Sequence, residues 1–290
     1  MKKYFKKIFI LFVAALFIII SNAVYCLANE LNDAEKLYTK INEFLSEHND
    51  IEPEDFDGFC RKFMLNSNQK SFGSKEIFED NIILYRGVND KKFAEEFKNG
   101  NIFIASNLKN VRGCGIYTTT NLDLARSYTD KISSECIIKM TISKSNVKIL
   151  ENDYLEKLKS IIIEKYPNEF GEFKDKAKDD YIFDSMKDFL DEQTKLIMEE
   201  CMKIEDPEIQ DKFLEEKFAK MRGDTVIQKL QAKRKKYFKT NKSAVWYNSG
   251  LLTKLFGFDA LYANDYLSDF IDSKQDEYLI VNPGVLNIVE

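Results

Sequence analysis

The sequence predicts an α+β chain, on three observations. Short runs rich in β-branched and aromatic residues, bounded by turn residues, cluster at 81–150 and again at 258–289. Apolar residues recur at three- and four-residue intervals through 29–78 and 151–240, the period of helices with one buried face. In the second of those stretches glycine is rare and charge is dense, so residues 151–240 read as a helical insertion into the β-rich part.

Taken in order, Leu31, Ala34, Leu37, Ile41 and Leu45 mark the apolar face of a first helix. Phe56, Phe59, Cys60 and Phe63 mark a second, and together they predict a helical N-terminal subdomain over 29–78. Ile82-Ile83-Leu84-Tyr85 predicts a strand that ends at Arg86-Gly87. Phe93, Ala94 and Phe97 share a face of a helix over 91–98, stopped by Gly100. A short strand is expected at 102–104, then a polar loop over 107–115. Gly115-Ile116-Tyr117-Thr118-Thr119 reads as a turn and strand, and Asn121 as the N-cap of a helix that carries Tyr128 about two turns in. Further strands are expected at 136–142, 146–150 and 258–262, with a loop over 263–274. The chain closes with a strand at 277–281, an Asn282-Pro283-Gly284 turn and a last strand at 285–289, because Pro sets one turn dihedral and Gly takes the positive one.

The first residues differ from the rest. Lys2, Lys3, Lys6 and Lys7 precede an unbroken apolar run from Ile8 to Ile20, with a small-residue exit at Ala28. That is the pattern of a secretory signal peptide over 1–28, and the run is short for a membrane span. An uncleaved anchor is the alternative, and cleavage after Ala23 the second choice of site. Tyr25 before Cys26 makes a poor lipoprotein box. Of the 43 Lys and Arg residues the segment removes four, leaving 39 against 48 acids, a net charge near −9. Such a chain lacks the basic face that nucleic acid requires, so no nucleic-acid partner is expected, and membrane contact only through the signal peptide. The basic run Lys233-Arg234-Lys235-Lys236 reads as a solvated helix face, with target or membrane contact as the alternative. Cys60, Cys114, Cys136 and Cys201 remain and allow two bridges in three pairings. No CxxC pair occurs, and the single histidine, His48, lies in a polar stretch that reads as solvated loop. No metal site and no histidine-based triad or dyad is expected.

Three groups of residues bear chemistry. Tyr117 and Tyr128, on a strand and the helix after it, fit either the walls of a slot for a flat heterocycle or a buried core pair. Arg86, followed by Gly87, suits a phosphate or ribose, or is an ordinary strand-end arginine. Glu277 starts an apolar strand, with Gln275 two residues before it on the same face. A carboxylate there can hold a hydroxyl and stabilise developing positive charge, or is simply a strand-edge acid.

The ordered set Leu84-Tyr85-Arg86-Gly87, Gly115-Ile116-Tyr117 with Tyr128, Gly257-Phe258-Asp259-Ala260-Leu261 and Gln275-Asp276-Glu277-Tyr278-Leu279-Ile280-Val281 resembles the ADP-ribosyltransferase superfamily, from about residue 80 to the C-terminus apart from the insertion. The resemblance implies a split two-sheet β core in a domain over 79–290, with NAD as substrate and no metal. It implies that Arg86 engages the ribose or phosphates, that the Gly87 backbone and Thr118 help hold the ligand, and that Tyr117 and Tyr128 sandwich the nicotinamide ring. Glu277 becomes the catalytic glutamate, with Gln275 beside it. The motif set is mixed. Arg86 is like the toxin branch, while Gly-Ile-Tyr with a second tyrosine is like the diphtheria-toxin and poly(ADP-ribose) polymerase branch, which carries histidine at that first position. No Ser-Thr-Ser occurs, Thr118-Thr119-Thr120 standing there instead, and Ala125 stands where the polymerases have a serine. Gln275 matches the Gln-x-Glu of toxins similar to Rho-modifying clostridial exoenzymes, which makes arginine a less expected acceptor. The implied activity is that of a secreted mono-ADP-ribosyltransferase, a toxin or virulence effector with a host protein as acceptor. The alternatives are an NAD glycohydrolase, with water as acceptor, and a catalytically silent binding module of the same fold.

Overall fold

The computed structural model describes residues 27–65, 80–105, 112–129, 134–174, 195–204, 239–265 and 275–289, with scattered positions between 206 and 217. Residues 1–26, most of 175–238 and the basic run at 233–236 lie outside the described residues.

The α+β class holds at the coarse level. Seven strands form one sheet: β1 (Asn81–Gly87), β2 (Ile116–Thr119), β3 (Ile137–Ser143), β4 (Ile149–Glu151), β5 (Ala260–Asp265), β6 (Gln275–Ile280) and β7 (Asn287–Val289), in the order β4-β5-β6-β2-β1-β3-β7. Only β4 and β5 run parallel. The helices that position the sheet are α1 (27–47), α2 (Phe56–Leu65), α3 (Lys91–Lys98), α4 (Leu122–Ser127), α5 (Asn152–Lys165), α6 (Pro167–Phe170), α7 (Asn241–Trp246) and α8 (Ser249–Leu255). Their starts follow local chemistry. The Asp90 carboxylate accepts from the Phe93 N–H, the Asn121 side chain from Asp123 and Leu124, and Thr240 closes a capping box with Ser243.

The helical stretch at the N-terminus is not a separate core. Ala34, Leu37, Ile41 and Phe44 of α1, with Phe56, Cys60 and Met64 of α2, are buried in the same apolar cluster as Leu84, Ile138, Met140 and Leu279 of the sheet. Contacts run between α1 and α5 with its C-cap: Tyr38 stacks on Tyr166 at 3.7 Å between centroids, Tyr154 donates to Asp33, and Lys165 pairs with Glu35 at 2.7 Å. The first part of the expected insertion is therefore a platform for α1.

Several expectations are corrected. Residues 101–104 form no ladder strand. Both edges of β2 are taken by β6 and β1, and only an isolated bridge, Ala105 to Gly115, remains. Tyr128 is the C-cap of α4, not a residue two turns inside it. The Thr129 hydroxyl donates to the Arg126 carbonyl and closes the helix there. His48 does lie in a turn after α1, but it is half-buried rather than solvated; its ring packs edge-on against Phe44 at 4.8 Å and tilted against Phe59 at 4.6 Å. The four described cysteines are free and buried, so neither bridge forms. The Cys114 thiol beside it, and burial, push the Cys60 thiol far above its ordinary pKa. Helices α7 and α8 fill a stretch, 241–256, that the sequence reading leaves unassigned.

Lys254 on α8 closes α2 by donating to the Phe63 and Met64 carbonyls. Burial lowers its pKa to about 8.

Two outcomes follow from this core. Ile41→Ala is expected to lower stability by about 2–5 kcal/mol. It should shift one cooperative transition for the whole chain, and a separate early melt of the N-terminal helices in calorimetry would contradict the shared core. Lys254 binds its proton less readily folded than unfolded, so stability should rise with pH between about 8 and the ordinary lysine value of 10.5. Lys254→Met should flatten that slope in denaturant titrations run at successive pH values.

Candidate functional site

The sheet parts between β1 and β2. Strand β1 pairs with β3 along its whole length, Asn81 to Gly87, but meets β2 at one position, Tyr85 opposite Thr119. This divides the seven strands into a group of four and a group of three. Beyond Tyr85, Arg86 and Gly87 have no partner on β2. Helix α4 packs there against both strands. A Cβ on Gly87 would lie 1.9 Å from the Ala125 carbonyl oxygen, so only glycine admits this approach.

Glu277 sits on β6 between Thr119 of β2 and Ala263 of β5, in one cross-strand row that continues to Tyr85. Tyr117 follows on the same face two residues before Thr119. Thr118 takes the other face, is buried, and donates its hydroxyl to the Tyr278 carbonyl. Of the threonines expected near the ligand, Thr119 rather than Thr118 thus neighbours Glu277, its hydroxyl accepting from the Asn121 N–H. Gln275 opens β6 opposite Asp265, in phase with Glu277.

A residue that the sequence reading passes over completes this group. Arg112 lies in the stretch assigned as polar loop, and its Nε donates to Glu277 Oε1 at 3.2 Å. The ion pair is largely enclosed, with side chains 8% exposed for Arg112 and 22% for Glu277. The loop carrying it is held from several sides. The Arg112 N–H donates to the Tyr117 hydroxyl at 3.0 Å, and that hydroxyl donates to the Gly113 carbonyl at 3.0 Å. The Gly250 N–H donates to the Arg112 carbonyl. Asn248, fully buried at the N-cap of α8, accepts from the Cys114 and Leu251 N–H groups. Gly113 has φ +93°, and a Cβ there would lie 2.1 Å from Asn248 Oδ1. No sequence signal links Arg112 to a carboxylate 165 positions away. The flanking Gly113 and Gly115 were the only hint of a constrained loop.

Burial raises the pKa of Glu277, and the charge and hydrogen bond of Arg112 oppose the rise. Tyr128 is 60% exposed at the end of α4. Desolvation of its hydroxyl, then the charge of Glu277, push that group up to about 12. Arg86 is set differently. It pairs with Ile138, out of phase with the Tyr85–Thr119–Glu277 row, and so belongs to the alternate face of β1. Its guanidinium lies 5.4 Å from the Phe97 ring centroid, and Nη1 is buried with no hydrogen-bond partner among the described residues. Burial lowers its pKa to about 10, which leaves it protonated at neutral pH. The structure joins Glu277, Arg112 and Tyr117 through the Arg112 side chain and backbone, sets Tyr128 at the end of α4 where it feels the Glu277 charge, and places Arg86 and Gly87 at the parted end of β1.

Chemically, this is a carboxylate with one oxygen anchored to a cation and no other described residue bonded to the second. It can accept a hydrogen bond from a hydroxyl and stabilise a nearby cation. Among the described residues no group of three His, Cys, Asp or Glu side chains could hold a metal ion. No described helix is long and apolar enough to cross a membrane. Comparison of the chain with family models, with curated proteins and with solved structures finds no match.

The loop clamp makes a direct test. Asn248→Ala strands two buried N–H groups and should cost roughly 2–5 kcal/mol in chemical denaturation. Gly113→Ala should be destabilising as well, since the backbone there is left-handed.

Proposed function

We propose that this chain is an exported mono-ADP-ribosyltransferase that transfers ADP-ribose from NAD to a protein of a host cell. The observation that carries the reading is the Glu277 carboxylate, anchored through Oε1 by Arg112, whose backbone N–H is in turn bonded to the Tyr117 hydroxyl. The parted seven-strand sheet is consistent with the split β core of that superfamily. Export rests on the signal-peptide pattern of residues 1–28, and the protein acceptor on the resemblance of the motif set, the acidic remainder of the chain speaking only against nucleic acid.

The chemistry breaks the bond between C1′ of the ribose and the pyridinium nitrogen. Both electrons go to the ring, so nicotinamide leaves neutral and the sugar becomes oxocarbenium-like. Glu277 accepts a hydrogen bond from the ribose 2′-hydroxyl and offsets that positive charge. Tyr117 and Tyr128 offer faces for the nicotinamide ring by offset stacking. The acceptor nucleophile adds to C1′ and loses its proton. Arg86, with an unpartnered buried nitrogen at the parted end of β1, is suited to the anionic diphosphate after a side-chain shift. Gly87 admits close backbone approach there.

The test uses the chain without its first 28 residues, NAD labelled on its adenylate half and a host-cell lysate. The expected result is a labelled protein band, with Glu277→Gln lowering transfer about 100- to 1,000-fold or more. NAD should still raise the melting temperature of that variant, because substrate binding survives loss of the charge. Free ADP-ribose without a labelled band would assign the chain to glycohydrolases, and no NAD consumption with no thermal shift would remove NAD from the reading.

A further inference from the structure

We propose that Arg112 is the positioning residue of this site, fixing through Glu277 Oε1 the orientation and charge of the carboxylate so that Oε2 is presented to the substrate hydroxyl. The inference rests on the reading of Glu277 as the catalytic group, and it goes beyond the motif set, in which Arg112 has no part.

Three observations carry it. Arg112 is committed to Glu277 through Nε at 3.2 Å, and that is the single hydrogen bond found on the Glu277 side chain among the described residues. The backbone of Arg112 is pinned at both ends, its N–H on the Tyr117 hydroxyl and its carbonyl on the Gly250 N–H. The side chain is 8% exposed, so it cannot swing freely into solvent. A carboxylate on a strand turns freely about its terminal torsion unless one oxygen is held. Holding Oε1 from a rigid loop selects one orientation and leaves Oε2 as the acceptor. The arrangement also links Tyr117 to Glu277, because the Tyr117 hydroxyl receives the N–H of the same arginine.

Among the described residues, the charged and titratable groups that act on Glu277 or feel its charge are Arg112 from the loop before β2 and Tyr128 from the end of α4. The strand neighbours Thr119 and Ala263 carry no charge. Tyr128 stays neutral through the range in which a carboxylate titrates. Loss of Arg112 therefore leaves burial unopposed and raises the pH at which Glu277 ionises.

The experiment reads Glu277 itself, independently of turnover. In glutamate-13C-labelled protein without its first 28 residues, the Glu277 carboxyl resonance is identified by its absence from Glu277→Gln. Arg112→Gln is expected to raise its titration midpoint by about 1–3 units, the size of effect one close opposite charge has. Arg112→Lys should restore most of that midpoint. With NAD, Arg112→Gln should lower kcat about tenfold or more, with KM changed less, and move the acid limb of the pH profile upward. Arg112→Lys should recover the limb but not the full kcat, since an ammonium cannot reproduce the guanidinium geometry. An unmoved Glu277 midpoint in folded Arg112→Gln overturns the proposal, whatever the activity. If no NAD is consumed by any variant but the midpoint moves, the coupling stands and the transferase reading falls. Should Arg112→Gln fail to fold, the double variant with Glu277→Gln decides. Its recovery assigns the failure to the stranded carboxylate, while a double variant equally unfolded assigns Arg112 to loop packing alone.

Discussion

Asn248 closes the contact between the loop at 112–115 and α8 with both ends of its amide. Its oxygen takes the N–H groups of Cys114 and Leu251, and its nitrogen donates to the Cys114 sulfur. In a fully buried setting these bonds are costly to lose, because an orphaned N–H retains its whole desolvation penalty. The amide lies so close to Gly113 that the loop can pass only without a side chain and with a positive φ. Gly250 makes the same contact from the helix side: a Cβ there would lie 2.0 Å from the Cys114 carbonyl oxygen. Two glycines and one asparagine thus fix where Arg112 begins, and through it where Glu277 ends.

A buried ion pair is not in itself a source of stability. Removing both charges from water costs several kcal/mol per ion before any attraction is counted. A chain that needed only a packed sheet would do as well with two apolar residues in these positions. The pair is also poorly satisfied for a structural bridge, with a single Nε contact to one oxygen of Glu277. A fork-to-fork geometry would use both carboxylate oxygens and be stronger. The carboxylate that is 22% exposed thus keeps one oxygen without a bond to any other described residue, which is what the proposed hydroxyl contact requires. The same logic applies to Arg86, whose Nη1 is buried without a partner while its charge leans on the face of Phe97.

The legible parts of the chain were those whose cause is local. The Asn81–Gly87 strand, the α3 stop at Gly100, the Asn121 cap and the inner strand carrying Glu277 all follow from residues within a few positions. Tyr128 lies about two turns after the Asn121 cap but just past the last helical residue, because the Thr129 hydroxyl closes the helix there, a side-chain event that apolar spacing does not record. Residues 102–104 have strand composition, but a strand also needs a free edge, and the order of the sheet leaves none beside β2. Arg112 was illegible for a different reason. Its meaning lies in a contact across 165 positions, and an arginine in a glycine-flanked loop looks locally like any solvated one. His48 erred the same way, its polar neighbours concealing two phenylalanines brought in by α1 and α2.

Gly87 joins the two halves of this account. Its missing side chain lets the Ala125 carbonyl approach β1 at the point where β1 and β2 cease to pair. Helix α4 can then lie against both strands, and its C-cap places Tyr128 within the field of Glu277. A larger residue at 87 would have to push α4 away from β1, and Tyr128 would move with it. The parting of the sheet and the delivery of the second tyrosine are therefore one constraint. The glycine proposed to offer backbone contact to a ligand is required first by the helix that ends in Tyr128.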